Sequence, residues 1–154
     1  MSRPPVRVDK GFLFEKENYL KLGQLVLGLA SLAFAVGCYP NAVFQHCEAR
    51  PYSWNQLFVA CCANGFFAFF TLIFTIAHLC SLHDVYYHFN FPILEKLYAS
   101  MATVMYLIGF CVLFASVVTS PFVPQWLFII SFNLATFGFY GYDAYLRWTC
   151  EYTF

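Results

Sequence analysis

Lys96 and Asp143 bracket a stretch that contains no Asp, Glu, Lys or Arg. Two further runs share this property, from Lys21 to Glu48 and from Arg50 to Asp84. A soluble domain carries roughly 25% charged residues, whereas this chain has 10% across 154 residues and is 61% hydrophobic. Its surface must therefore face lipid over much of its area.

The apolar runs predict four transmembrane helices, over residues 22–39, 54–79, 93–118 and 126–148. The expected fold is all-α, an integral membrane, antiparallel four-transmembrane-helix bundle. Short tails of residues 1–21 and 149–154 flank the membrane domain of residues 22–148. The basic start followed by an apolar run has the look of a signal peptide, and Ala33-Phe34-Ala35 resembles a cleavage site. The run exceeds the usual apolar core of about 7–15 residues, so an uncleaved helix is expected.

Four crossings place both tails on one side of the membrane. Seven of the eight Lys and Arg fall on that side (Arg3, Arg7, Lys10, Lys16, Lys21, Lys96 and Arg147), and Arg50 alone on the other. The positive-inside rule makes both termini cytosolic. Net charge is zero, which gives no footing for a nucleic-acid partner.

In lipid, small residues that let backbones approach mark helix contacts. Cys61, Gly65, Ala68, Leu72 and Thr75 follow one face of the second span, flanked by Asn64 and Thr71. Ser131, Ala135 and Gly138 do so in the fourth, and Ser31/Ala35 and Ala33/Gly37 in the first. The Phe-rich remainder suits lipid-facing surface.

Asp143 lies inside the fourth run, and an acid at mid-bilayer costs roughly 2.5–3.5 kcal/mol. Arg147 stands at i+4, so a local ion pair near the headgroups is the expectation, with a proton or ion site as the competing one. His78, His83 and His88 are spaced by five and do not share a helix face, which disfavours a metal or haem site. Most cysteines lie in apolar runs and behave as small hydrophobes. Cys38 and Cys47 flank the first connection and are a candidate disulfide. Cys80 and Cys150, at cytosolic helix ends, are candidate palmitoylation sites. No catalytic constellation, cofactor site or metal site emerges. Proline is absent from the middle of every span, which argues against the broken helices of a transporter.

The order of features resembles the MARVEL four-transmembrane family, of the myelin and lymphocyte protein, plasmolipin and chemokine-like-factor type. The likeness rests on Tyr19-Leu20-Lys21-Leu22-Gly23-Gln24-Leu25-Val26-Leu27-Gly28-Leu29, on Leu94-Glu95-Lys96-Leu97-Tyr98, and on the run from Phe132 through Asn133, Gly138 and Gly141 to Tyr145. It covers nearly the whole chain and is one of hydropathy and spacing. It implies non-enzymatic work in membrane trafficking, membrane apposition at cell junctions, or lipid-domain organisation, at the plasma membrane or on post-Golgi vesicles. The implied partners are membrane lipids, further copies of the chain or other integral membrane proteins, with no soluble small-molecule substrate. The competing expectation is a small transporter or channel using Asp143, Asn64 and Gln24.

Overall fold

The computed structural model describes residues 16–38, 51–80, 90–119 and 124–149. These residues form four helices: α1 (Lys16–Gly37), α2 (Pro51–Leu79), α3 (Phe91–Thr119) and α4 (Pro124–Thr149). Prolines stand in the first or second position of the last three. A helix tolerates proline there because the first N–H groups have no internal acceptor. α1 ends at Gly37, where the Cys38 N–H still reaches the Phe34 and Ala35 carbonyls at 3.2 Å.

The helices have 22, 29, 29 and 26 residues, and about 20 suffice to cross a bilayer. α1, α2 and α3 are long and apolar enough to cross a membrane. α4 is long enough, but Asn133, Asp143 and its Tyr and Gly residues dilute its apolarity. The chain is therefore an all-helical protein of membrane character. α1 extends further toward the N-terminus than the apolar run does, so Lys21 belongs to a helix and not to a tail.

α1 packs against α2 and α4, and α3 packs against the same two. The near-N-terminal turns of α1 and α3 meet the last turns of α2 and α4, as Lys21, His78, Glu95 and Arg147 show. At the opposite ends, Ala35, Cys38, Leu57, Ala60, Leu113, Trp126, Ile129 and Ile130 form an apolar cluster. Between these levels Phe67, Ala102, Tyr106 and Tyr140 pack together, with the Tyr106 and Tyr140 rings stacked at 5.3 Å.

Polarity is distributed as a lipid-facing chain requires. Large apolar side chains lie outward, Val118 at 70% exposure and Phe69 at 59%. Ser31, Asn64 and Thr136 are fully enclosed, and Gln24, Thr71, Glu95, Asn133 and Asp143 are buried beside them. The interior is richer in polar groups than the sequence reading allowed.

Ser31 and Ala35 are buried in α1 as their spacing suggests, but the stripes read in α2 and α4 are largely not on the inner side. Ala68 is buried, but Leu72 is exposed and Cys61, Gly65 and Thr75 are only partly covered. Ser131 and Gly138 are exposed and Ala135 is half-buried. A Cβ added at Gly65 or Gly138 would meet nothing within 4 Å. The buried face of α2 is Leu57, Ala60, Asn64, Phe67 and Thr71, and that of α4 runs through Trp126, Ile129, Ile130, Asn133, Thr136, Tyr140 and Asp143. In each case the polar residues, not the smallest ones, mark the inner side. Gly23 packs tightly against α4, where an added Cβ would lie 2.5 Å from the Phe139 ring. Trp126 is packed in the apolar cluster rather than standing at the lipid surface. Trp148 is outward, with the Lys96 ammonium 4.1 Å above its ring and its indole N–H donating to Ser100 Oγ at 3.0 Å.

Candidate functional site: a charge cluster joining four helices

Glu95, in the second turn of α3, is the hub of the polar interior. Lys21 Nζ donates to its Oε1 at 2.9 Å, and Arg147 Nη1 donates to its Oε2 at 2.5 Å. His78 Nε2 also contacts Oε1. Arg147 Nε donates to Asp143 Oδ1 at 2.8 Å, and Gln24 Nε2 donates to Asp143 Oδ2 at 3.2 Å. Each of the four helices contributes at least one member. Lys21 and Arg147 balance Glu95 and Asp143, with His78 as a fifth member of the cluster.

Burying ions is costly unless geometry and hydrogen bonds compensate. Here both carboxylates are held by two or more donors, and neither cation is left facing lipid. The i,i+4 contact of Asp143 with Arg147 is thus one edge of an interhelix network rather than a local pair at a solvated helix end. Lys21, Gln24, Thr71, Phe74, Glu95, Tyr98, Asp143 and Arg147 line a cleft with about 10 Å³ of free volume. That is room for one water-sized guest.

One level deeper, hydroxyls form an ordered chain. Tyr98 donates to the Phe67 carbonyl at 2.7 Å. Its single proton is then committed, so Thr71, 3.0 Å away, donates to Tyr98. Tyr140, 2.5 Å from Thr71, donates to Thr71 by the same reasoning. Further along, Asn64 Nδ2 donates to Ser31 Oγ at 3.2 Å and to the Ala60 carbonyl at 2.9 Å. Asn133 Nδ2 donates to the Tyr106 carbonyl at 3.2 Å.

Asp143, Gln24 and Asn64, singled out from sequence, are all buried, but Asn64 lies at a different level from the Asp143–Gln24 contact. Spacing alone did not reveal Lys21, His78 and Glu95 as a set. The available signal was that Glu95 and Lys21 sit within helical, otherwise apolar segments, where an ionised group needs a partner. Cys38 is disulfide-bonded, and Cys47 lies outside the described residues. Cys80 is a half-buried free thiol at the end of α2, and Cys150 lies outside the described residues, as do His83 and His88. Among the described residues no three His, Cys, Asp or Glu side chains converge as a metal ion would need.

Fold and site together define a helical membrane protein whose helices are joined by a buried, charge-balanced cluster. No family model, curated protein or solved structure matches the chain.

Proposed function

We propose that the chain crosses the membrane four times with alternating helix direction and cytosolic termini, and acts as a non-enzymatic membrane organiser of MARVEL type. It works by lateral association with lipids, with further copies of itself or with other integral membrane proteins, in trafficking, apposition at junctions or lipid-domain organisation. One observation carries this reading: among the described residues a largely apolar exterior surrounds an interior in which Lys21, Glu95, Asp143 and Arg147 engage one another. Such a molecule offers its outer surface, not an internal pocket, to partners.

Gly65 and Gly138 are suited to test it, because Leu there would project outward without meeting the rest of the chain. Gly65→Leu with Gly138→Leu should lower the yield of cross-linked oligomer or proximal partners in native membrane several-fold, with helix content unchanged. Equal yields from the folded variant and the wild type reject the reading. Ala68 is not a suitable site for this test, since it is buried and Leu there would disturb the fold.

The second reading, a small transporter or channel, is favoured by the buried Gln24–Asp143 contact and the enclosed Asn64. Ion or proton flux in liposomes above protein-free liposomes would support it.

A further inference from the structure

Four buried side-chain atoms among the described residues have no hydrogen-bond partner: Tyr106 OH, Asn64 Oδ1, Ser116 Oγ and Gln125 Oε1. Leaving such an atom dry costs about 1–3 kcal/mol, and internal water is the usual resolution in proteins. Their placement is ordered. Lys21, Gln24, Gly28, Ser31 and Ala35 are buried along one face of α1. Glu95 and Asp143 meet the first two of these. The Tyr106 hydroxyl faces Gly28, 3.5 Å from where a Cβ would stand, and Asn64 meets Ser31. Polar groups thus follow α1 from the charge cluster for ten residues, about 15 Å of helix axis. They stop at Ala35, Leu57, Ala60, Leu113, Ile129 and Ile130, which supply no side-chain donor or acceptor. Beyond this layer polarity resumes, with Ser116 one turn past Leu113 on α3 and Gln125 one turn before Ile129 on α4.

We propose that the interior is a proton path in two water-holding compartments, separated by this one apolar layer acting as a gate. Its ligand is water and its cargo a proton passed between waters, each transfer breaking one O–H bond and forming the next. The cleft at the charged end has about 10 Å³ of free volume, room for one water-sized guest. The Tyr140–Thr71–Tyr98 chain ends on the Phe67 carbonyl, which has no proton to pass on, so it is a side branch. The layer blocks transfer while dry, as hydrophobic constrictions do.

The proposal sharpens the transport reading and rests on the four-crossing one. The full chain is reconstituted into phosphatidylcholine/phosphatidylglycerol liposomes enclosing a pH-sensitive dye, with the membrane potential clamped. Leu113→Asn places a polar group in the layer and should raise proton flux about tenfold or more over wild type. Adding Asn64→Leu and Tyr106→Phe should return it to the wild-type level. A folded Leu113→Asn variant with wild-type flux, or flux unaffected by the added changes, overturns the path. Ile129→Ser tests the same layer from α4 should Leu113→Asn not fold. Hydroxyl-radical labelling of the wild-type chain gives a reading free of mutation. Tyr106 should be marked by internal water and Leu57 and Leu113 should not, and an unmarked Tyr106 overturns the proposal. Impermeant thiol reagents applied to Cys80 and to Val118→Cys separate the two failures. Labelling from the same face rejects the crossing, while opposite faces without variant flux reject the path alone.

Discussion

At Glu95 one carboxylate meets Lys21 of α1, His78 of α2 and Arg147 of α4, so one substitution there reaches every helix. Glu95→Gln leaves Lys21 and Arg147 short of a counter-charge, and removing one partner from a buried pair costs about 3–5 kcal/mol. Denaturant unfolding in detergent should show a loss of that order. Asp143→Asn should lose less, since the amide oxygen can still accept from Gln24 while Arg147 keeps Glu95. Glycines give a second contrast at this scale. Gly23→Ala forces the Phe139 ring to move and should destabilise by about 1–3 kcal/mol, as overpacking does. Gly65→Ala meets open space and should stabilise by about 0.5–1 kcal/mol through backbone entropy alone. A thermal-stability ranking that places Gly65→Ala below Gly23→Ala would contradict the packing described.

The inward face of α2 is written in its polar residues. Asn64, Thr71 and His78 recur every seven positions, with Leu57 one step earlier. Thr71 joins two tyrosines from other helices, whereas Thr75 Oγ1 donates only to the Thr71 carbonyl of its own helix. Thr71→Val should therefore cost about 1–3 kcal/mol by orphaning its partners, and Thr75→Val should cost less. Double-mutant cycles with Tyr140→Phe would locate the coupling at Thr71. Helix positions were legible in the sequence because long charge-free runs admit no other structure. Helix rotation was less so. α2 and α3 carry large apolar residues on all sides, their few polar ones aside, so hydrophobic periodicity has little to report. Gly65 and Leu72 fitted a small-residue stripe as well as Asn64 and Thr71 fitted a polar one. In lipid the polar stripe decides, because an unpaired amide or hydroxyl facing hydrocarbon costs more than an exposed glycine.

For the whole molecule, the cluster was the least legible feature, because its members are far apart in sequence. Lys21 and Glu95 stand 74 residues apart, and nothing in the spacing of either names the other. Among its charged members only Asp143 and Arg147 share a helix turn. The same separation bears on how the protein is made. A ribosome delivers α1 and α2 to the membrane first, carrying Lys21 and His78 without their acid. Glu95 arrives with α3, and Arg147 and Asp143 only with the last turns of α4. Lys21 and His78 thus meet their acid once α3 is in place, whereas the network with Asp143 and Arg147 closes only when α4 is complete. Translation order thus makes the charge cluster the last part of the interior to be completed. A chain truncated before Asp143 should remain bound to insertion factors or be degraded, and supplying α4 as a separate segment should rescue it.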